Sequence, residues 1–308
     1  MKEESTNSSR WRFIIYLLVG LFALSYIGAG ILSTGIETGQ LSGNVAVIQI
    51  YGTIGSGDSW LEQTVNPADT ILLIERAAKS PQIKAIVLDI NSGGGAPVAS
   101  ESIVNAVKAL NKTAVAVISD VGASGAYWIA SACNLIVASK YSVVGSIGAF
   151  GSYIDYSGLL ARYNITYQRF VGGELKDIGV PYREPTARER AILQARVDVL
   201  QAQFMEEIRL NRNLSDWQVA ELSSALFYTG EDTKRLGLVD EFGGMGEAKA
   251  YLKKQLNTTS IQMVTLTNKK SLIESLTQLS SDWAFHFGRG VGTALANLKA
   301  SPKISFGS

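Results

Sequence analysis

The chain has 308 residues, of which 46% are hydrophobic and 18% charged, and its formal net charge is +1. This balance is typical of a globular protein with a large core and excludes an intrinsically disordered chain. A net charge so close to zero argues against a nucleic-acid-binding surface. The chain has one cysteine, Cys133, and one histidine, His286, so no disulfide can form within it and no zinc or iron site is expected.

The N-terminal segment has the pattern of a membrane anchor. Residues 13–32 contain no charged side chain, and a helix needs about 20 residues to cross the hydrocarbon core of a bilayer. Arg10 and Arg12 precede this run, and the next basic residue is Arg76. The asymmetry predicts a single-pass protein with a cytoplasmic N-terminus and an extracytoplasmic main domain. A cleaved signal peptide is the alternative, although its apolar core is shorter, about 7–15 residues.

The rest of the chain divides into a linker, one main domain and a tail. Residues 1–12 form the cytoplasmic N-terminus, and residues 33–44 are rich in glycine, serine and threonine, which indicates a linker. No internal repeat interrupts residues 45–283, which we treat as one catalytic unit. Residues 284–308 form a C-terminal tail whose last part is small and polar.

Strands and helices alternate along the main domain. The hydrophobic patterns predict strands at 45–51, 83–90, 114–119, 135–138, 165–170 and 261–266, and helices at 67–80, 97–110, 124–133, 186–212 and 271–283. Thr186 and Glu189 have the spacing of a capping box at the start of the long helix. Near-continuous apolar strands favour an α/β fold with a mostly parallel sheet covered by helices on both faces. The functional site of such a sheet lies beyond the carboxyl ends of its strands.

Ser124 and Lys176 are the residues that suggest nucleophilic catalysis. Ser124 stands between small residues ahead of an apolar helical stretch, and Lys176 follows a pair of glycines. A serine nucleophile needs a base to take its proton, and with histidine so scarce that base is expected to be a lysine. Each residue also has an ordinary interpretation. Ser124 has the position of a helix cap, and Lys176 that of an exposed lysine paired with Asp177 or Glu174.

Five segments in order resemble the motifs of the signal peptide peptidase A (SppA) family, membrane-bound Ser-Lys peptidases: 89–95, 123–127, 145–148, 176–186 and 228–241. The resemblance covers about residues 45–266 and is to the short, single-repeat form of the family. It implies a Clp-protease/crotonase-like fold, hydrophobic peptide substrates such as released signal peptides, and a homo-oligomeric ring. The chain departs from the family at Gly93, where proline is usual, and at Ala96, where some members have glycine.

The resemblance also assigns roles around the expected nucleophile. Ser124 would attack the peptide carbonyl and Lys176 would be the base, while Ser146 would orient the lysine amine. The backbone N–H groups of Gly95 and Gly125 would form the oxyanion hole, because glycine permits close approach of a substrate carbonyl. Ser146 and the two glycines are also common turn residues.

Lys176 must be uncharged to accept a proton, and burial favours the neutral form of a lysine. The apolar neighbours Leu175, Ile178 and Val180 suggest such burial. The adjacent carboxylates of Glu174 and Asp177 would favour the charged form, so we expect them to point away.

Two other functions remain open for the sequence alone. The first is a catalytically inactive protein of the same fold that binds peptides or serves as a membrane scaffold, an interpretation that Gly93 supports. The second is a crotonase-like acyl-CoA enzyme, which fold alone cannot exclude. The Ser-Lys pair and the predicted anchor favour a membrane serine endopeptidase that needs no metal or cofactor. Cys133 is expected in the core and His286 in an aromatic cluster.

Overall fold

The computed structural model describes residues 15–22, 25, 43–55 and 63–267. The chain divides into two compact units, and the larger one, Leu41–Thr267, contains every strand of the described residues. Of the smaller unit, which combines the two ends of the chain, only residues 15–22 and 25 are described, and they are helical. The predicted helix at 271–283 and the tail lie outside the described residues.

A mostly parallel sheet forms the centre of the larger unit. The strands are β1 Val45–Tyr51, β2 Thr53–Ile54, β3 Thr64–Val65, β4 Ala85–Ser92, β5 Thr113–Ala123, β6 Leu135–Ala138, β7 Val143–Gly145, β8 Phe227–Tyr228, β9 Glu241–Phe242 and β10 Met263–Leu266. Six of these strands lie side by side in the order β10-β1-β4-β5-β6-β9, and every neighbouring pair is parallel. β7 pairs parallel with β5 and antiparallel with β8, while β2 and β3 form a separate small sheet.

Helices cover both faces of this sheet. The helices of the larger unit are α1 Pro67–Lys79, α2 Pro97–Lys108, α3 Gly125–Ser131, α4 Ser157–Arg162, α5 Ala187–Arg212, α6 Asp216–Leu222, α7 Glu231–Arg235 and α8 Met245–Gln255. Because side chains alternate along a strand, alternate residues of β1, β4, β5 and β6 pack in the same cluster as α1, α2, α3 and the end of α5, and the others pack against α8. The predicted parallel sheet flanked by helices is therefore confirmed.

The predicted elements agree with the structure wherever a local pattern was strong. Pro67 and Pro97 stand in the first turns of α1 and α2, where a missing N–H costs nothing. The capping box of α5 is present, with Thr186 Oγ1 accepting from the Glu189 N–H at 3.2 Å and Glu189 Oε2 accepting from the Thr186 N–H at 2.8 Å.

The strand predicted at 165–170 is wrong, because these residues have no strand partner and form an irregular segment. They belong to a region, 150–185, whose side chains are mostly exposed in the single chain. We call this region the arm. In the chain it lies between β7 and α5, and it includes Lys176.

The predicted membrane span, 13–32, is described only in part. Within the described part of the chain, no helix combines the length and the apolar character that crossing a bilayer requires. The anchor thus stays a prediction from the sequence.

The end of α5 is held to the sheet by a half-buried ion pair. Arg212 Nη2 lies 2.6 Å from Asp240 Oδ1, and Arg212 Nε donates to the Gly237 carbonyl at 3.0 Å. The same carboxylate accepts from the backbone N–H of Ile136 at 2.7 Å, so it connects α5 to β6. The Arg212 side chain is only 10% exposed.

Replacing Arg212 with methionine is therefore expected to lower the free energy of unfolding by about 2 kcal/mol, because it removes charge-assisted hydrogen bonds to a carboxylate that is 34% exposed. Denaturant titration of the full-length chain measures this change. Arg209→Met is the control, since Arg209 pairs with Glu206 on the exposed side of the same helix and should leave the midpoint almost unchanged. Equal midpoints for the two variants would contradict the prediction.

Candidate active site

Ser124 occupies a strained turn between β5 and α3. Its backbone angles are φ 52 and ψ −126, a conformation that residues other than glycine rarely adopt and that costs about 1–3 kcal/mol. Ser124 is the N-cap residue of α3, as its position in the sequence suggested, but its side chain makes no capping hydrogen bond. The turn leaves the half-buried hydroxyl facing a cleft. A sharp, strained strand-to-helix turn is the device that presents a nucleophilic serine in other hydrolases.

Ser146 lies beside Ser124 because their two strands are paired. Ala123 and Gly145 are register partners in β5 and β7, so the two serines follow directly at the carboxyl ends of neighbouring strands. The Ser124 N–H donates to the Gly145 carbonyl at 2.8 Å, which ties the turn to β7. Ser146 also has a positive φ, 48°, and its N–H donates to the Leu226 carbonyl at 2.9 Å.

The glycine loop after β4, residues 93–95, packs directly on the Ser124 turn. A Cβ atom at Gly94, where φ is 95°, would lie 2.7 Å from the Gly125 nitrogen and 2.9 Å from the Ser124 Cβ. A Cβ at Gly95 would lie 2.0 Å from the Ile54 carbonyl oxygen. Both positions therefore need glycine. A Cβ at Gly93 would meet nothing within 4 Å, so the departure from the family's proline leaves the packing of this loop intact.

The backbone nitrogens of Gly95 and Gly125 lie close to the Ser124 turn. The neighbours of Gly95 bond to Ile54 on one side, with Ile54 N–H donating to Gly94 O at 2.9 Å and Ala96 N–H donating to Ile54 O at 2.8 Å. In a parallel bridge of this kind, the N–H of Gly95 itself points to the opposite side. Gly125 opens α3, where an N–H has no acceptor within the helix.

These two N–H groups also lie close to each other, since a Cβ built on Gly125 would lie 3.5 Å from the Gly95 nitrogen. Two convergent backbone donors beside a serine hydroxyl can stabilise an oxyanion. Ser92, which the sequence had not singled out, supports this loop. Its hydroxyl accepts from the Gly94 N–H at 3.1 Å and donates to the Gly52 carbonyl.

The serines and the glycine loop line one cleft of about 520 Å³. Its lining residues are Thr53, Gly93, Gly94, Gly95, Ser124, Ser146, Gly148, Ala149, Phe150 and Ala225. Most of these residues are small or apolar, which suits an extended chain with modest side chains close to the serine. Four of the five predicted site residues are thus together, with Gly125 directly behind the cleft wall.

Lys176, the fifth predicted site residue, does not line this cleft. It lies on the arm with its side chain exposed, and its amine makes no hydrogen bond to Ser124 or Ser146 in the single chain. The expectation that its apolar neighbours bury it is wrong for one isolated chain.

The expectation about the carboxylates near Lys176 holds. Asp177 is bound by Arg169 and Arg183, and Glu174 by Arg188, so neither pairs with the lysine.

Gln201 is a site residue that the sequence gave no reason to choose. From α5 its side-chain amide donates to the Ile147 carbonyl at 2.9 Å and accepts from the Ala149 N–H at 2.9 Å. A neighbouring strand would make the same two bonds to an extended segment. The backbone groups of Gly148 between them are therefore directed to the other side, toward the cleft that Gly148 lines. Their position can bind the main chain of an extended ligand.

Cys133 has the place in the core that was expected. It is buried, and burial raises the pKa of its thiol to about 12, which keeps it protonated and unreactive. His286 lies outside the described residues.

Residues 106–259 match the model of peptidase family S49. A candidate protease of Methanocaldococcus jannaschii is 30% identical over 93% of this chain and 96% of its own length. A candidate signal peptide peptidase SppA of Enterococcus faecium is 25% identical over 87% of this chain and 77% of its own. The solved structure of a ClpP1 mutant from Listeria monocytogenes covers 64% of this chain and 91% of its own, with a TM-score of 0.42 and 15% identity.

Alanine substitutions at the three positions of the glycine loop should have different effects on the reactivity of Ser124. Gly95→Ala is expected to slow phosphonylation of Ser124 by an activated phosphonate probe at least about 100-fold, because the clash with Ile54 displaces the N–H that is expected to stabilise the oxyanion. Gly94→Ala should be at least as damaging, and Gly93→Ala should react like the parent chain. Labelling rates on folded protein, checked by circular dichroism, measure these effects. A slow Gly93→Ala or a fast Gly95→Ala would contradict this account of the loop.

Gln201→Leu should affect extended ligands more than short ones. The substitution removes both bonds to 147–149, so a peptidyl phosphonate that uses the Gly148 backbone should label Ser124 about tenfold more slowly, while a small phosphonate should keep its rate. Gln194→Leu is the matched control, because Gln194 is exposed on the same helix and bonds to Asp198. An equal loss with both probes would indicate that Gln201 only supports folding.

Proposed function

This chain belongs to peptidase family S49, and from that premise we propose that it is a membrane-anchored serine endopeptidase that cleaves hydrophobic peptides. Ser124 is the nucleophile and Lys176 the general base. The substrate class that fits best is signal peptides released after protein export. This assignment is supported by the candidate signal peptide peptidase of E. faecium, which is similar over 87% of this chain, and by the small, apolar cleft.

The observation that carries this proposal is the geometry around Ser124. A hydroxyl on a strained turn, free of any capping hydrogen bond, faces a cleft beside two convergent backbone N–H groups. Strain of this kind persists where a fixed orientation is needed for function. An acyl-CoA enzyme of related fold would need the oxyanion donors but would have no use for a presented serine, so the geometry favours acyl transfer to Ser124.

The reaction then follows in two steps. Ser124 Oγ attacks the peptide carbonyl and gives its proton to the neutral amine of Lys176, while the N–H groups of Gly95 and Gly125 hold the oxyanion. The C–N bond breaks, and Lys176 returns the proton to the departing amine. Water attacks the acyl-enzyme in the same way and releases the carboxylic acid. Ser146 orients the lysine amine toward Ser124.

A ring of several copies would bring Lys176 to the serine. The arm exposes many large hydrophobic side chains in the single chain, and Phe150 and Phe170 are 89% and 91% exposed. Such a surface on a soluble domain is typical of protein–protein contacts. In a ring, the arm of one copy lies on its neighbour and is desolvated there, which favours the neutral form of Lys176. The lysine of one copy then serves the Ser124 cleft of the next.

The uncharged run at 13–32 would anchor each copy, with the N-terminus in the cytoplasm and the catalytic domain outside it. This anchor would keep each copy attached to the membrane in which signal peptides are released.

Hydrolysis of a fluorogenic hydrophobic peptide by the full-length chain in detergent tests the proposal. Ser124→Ala and Lys176→Ala should each lose at least about 10³-fold in kcat/KM, because each removes one member of the reacting pair. Lys253→Ala, which removes an exposed lysine on α8, is the control and should retain full activity.

Mixing the two inactive variants under conditions that allow subunit exchange should restore part of the activity, since some clefts then combine an intact serine with a neighbour's intact lysine. If both variants are inactive and mixing them restores no activity, the lysine acts within its own chain. A Ser124→Ala variant as active as the parent would overturn the proposal and favour the inactive scaffold.

A further inference from the structure

The residue after Lys176 has a carboxylate that two arginines bind together. Arg169 donates to Asp177 from Nε and Nη2, each at 2.7 Å, and Arg183 donates from Nε and Nη2, each at 3.2 Å. The Asp177 side chain is 9% exposed. The hydrogen bonds from Arg169, and then those from Arg183, hold the pKa of this carboxyl far below its usual range, so Asp177 is charged at every pH of interest.

Arg183 also connects this carboxylate to the start of α5. Its Nη2 donates to Glu189 Oε1 at 2.6 Å and its Nη1 to Glu189 Oε2 at 2.8 Å. Glu189 is buried and closes the capping box with Thr186. These bonds, mainly those from Arg183, lower the pKa of Glu189 to about 2. A continuous set of charge-assisted hydrogen bonds therefore runs from the residue beside Lys176 to the first turn of a 26-residue helix.

Arg169 fixes the other side of the same segment. Its Nη2 donates to the Glu174 carbonyl at 2.6 Å, two residues before Lys176. The lysine thus stands between two backbone positions that the arginines hold, although its own side chain is exposed.

The charges near Lys176 also balance. The charged side chains that form ion pairs around this segment are Arg169, Glu174, Asp177, Arg183, Arg188 and Glu189. Arg169 and Arg183 offset Asp177 and Glu189, and Arg188 offsets Glu174. An uncompensated Asp177 would favour the ammonium form of the adjacent lysine, which cannot accept a proton.

We propose that Arg169 and Arg183 are positioning residues for the peptidase reaction. They hold the Lys176 segment against α5, and they cancel the charge of Asp177 so that the lysine amine is available in its neutral form. This inference rests on the proposed function, in which Lys176 is the base.

The pH dependence of kcat/KM separates this role from a structural one. Activity rises with pH as the base loses its proton, so the midpoint of the rising limb reports the charge around Lys176. Arg169→Gln removes a positive charge and should move that midpoint to higher pH by about half a unit to one unit. Asp177→Asn removes a negative charge and should move it to lower pH by a similar amount. Arg169→Lys keeps the charge and should leave the midpoint in place while lowering the maximal rate.

Two controls complete the test. The double variant Arg169→Gln/Asp177→Asn should return the midpoint to its original pH, because the charges balance again. Arg188→Gln, in the first turn of α5 and in a highly exposed pair with Glu174, should move the midpoint much less. The melting temperature of each variant shows that the protein is folded.

The outcomes are distinguishable. If Lys176→Ala is inactive but Arg169→Gln and Asp177→Asn move the midpoint in the same direction or not at all, the positioning role is overturned and the proposed function stands. If Lys176→Ala retains activity, the proposed function fails, and the positioning role fails with it. Opposite movements that cancel in the double variant support the positioning role.

Discussion

The close approach of three backbone segments without side chains is the constraint on which the cleft depends. Gly94 lies against the turn at Ser124, Gly95 against Ile54 and Gly125 against Ser100, at distances where a Cβ atom would be only 2.0–2.7 Å from its nearest neighbour. Because no side chain stands between them, the backbone nitrogens of Gly95 and Gly125 lie close to each other beside the Ser124 turn. Backbone N–H groups lose no side-chain conformational entropy when they are fixed in place. The strands that precede them hold them in position.

The sheet supports the strain in this arrangement. Ser124 and Ser146 both have positive φ, and each such residue costs about 1–3 kcal/mol. The register between β5 and β7 places the two serines side by side, and the hydrogen bond from the Ser124 N–H to Gly145 fixes the sharper turn. β5 and β7 carry these turns at their carboxyl ends and contribute buried residues to the core, so the burial of the core offsets a local cost.

The candidate machinery is divided between a rigid part and an exposed part. The cleft rests on the sheet, whereas Lys176 lies on an arm whose surface is apolar and whose charges are paired with each other. In the proposed enzyme this division has a consequence for control. A single chain would hold a serine with no base beside it, and reactivity would arise only where copies assemble. Arg183 and α5 would keep the lysine segment in a fixed shape in the meantime.

The linear pattern of residues was enough to predict much of this protein. Buried strands such as Val45–Tyr51, the prolines that begin α1 and α2, and the Thr186–Glu189 box depend on neighbours within a few positions, so the sequence shows them directly. The motif around Ser124 was visible for the same reason. The pattern at 165–170 misled, because alternation predicts a strand only if another strand is there to pair with it. Contacts between distant positions decided the rest: Gln201 on Ile147 and Ala149, Ile54 on the glycine loop, and the exposure of Lys176. Secondary-structure propensity depends on residues that are neighbours in the sequence, so the sequence shows it. Which surfaces come into contact depends on how the whole chain packs.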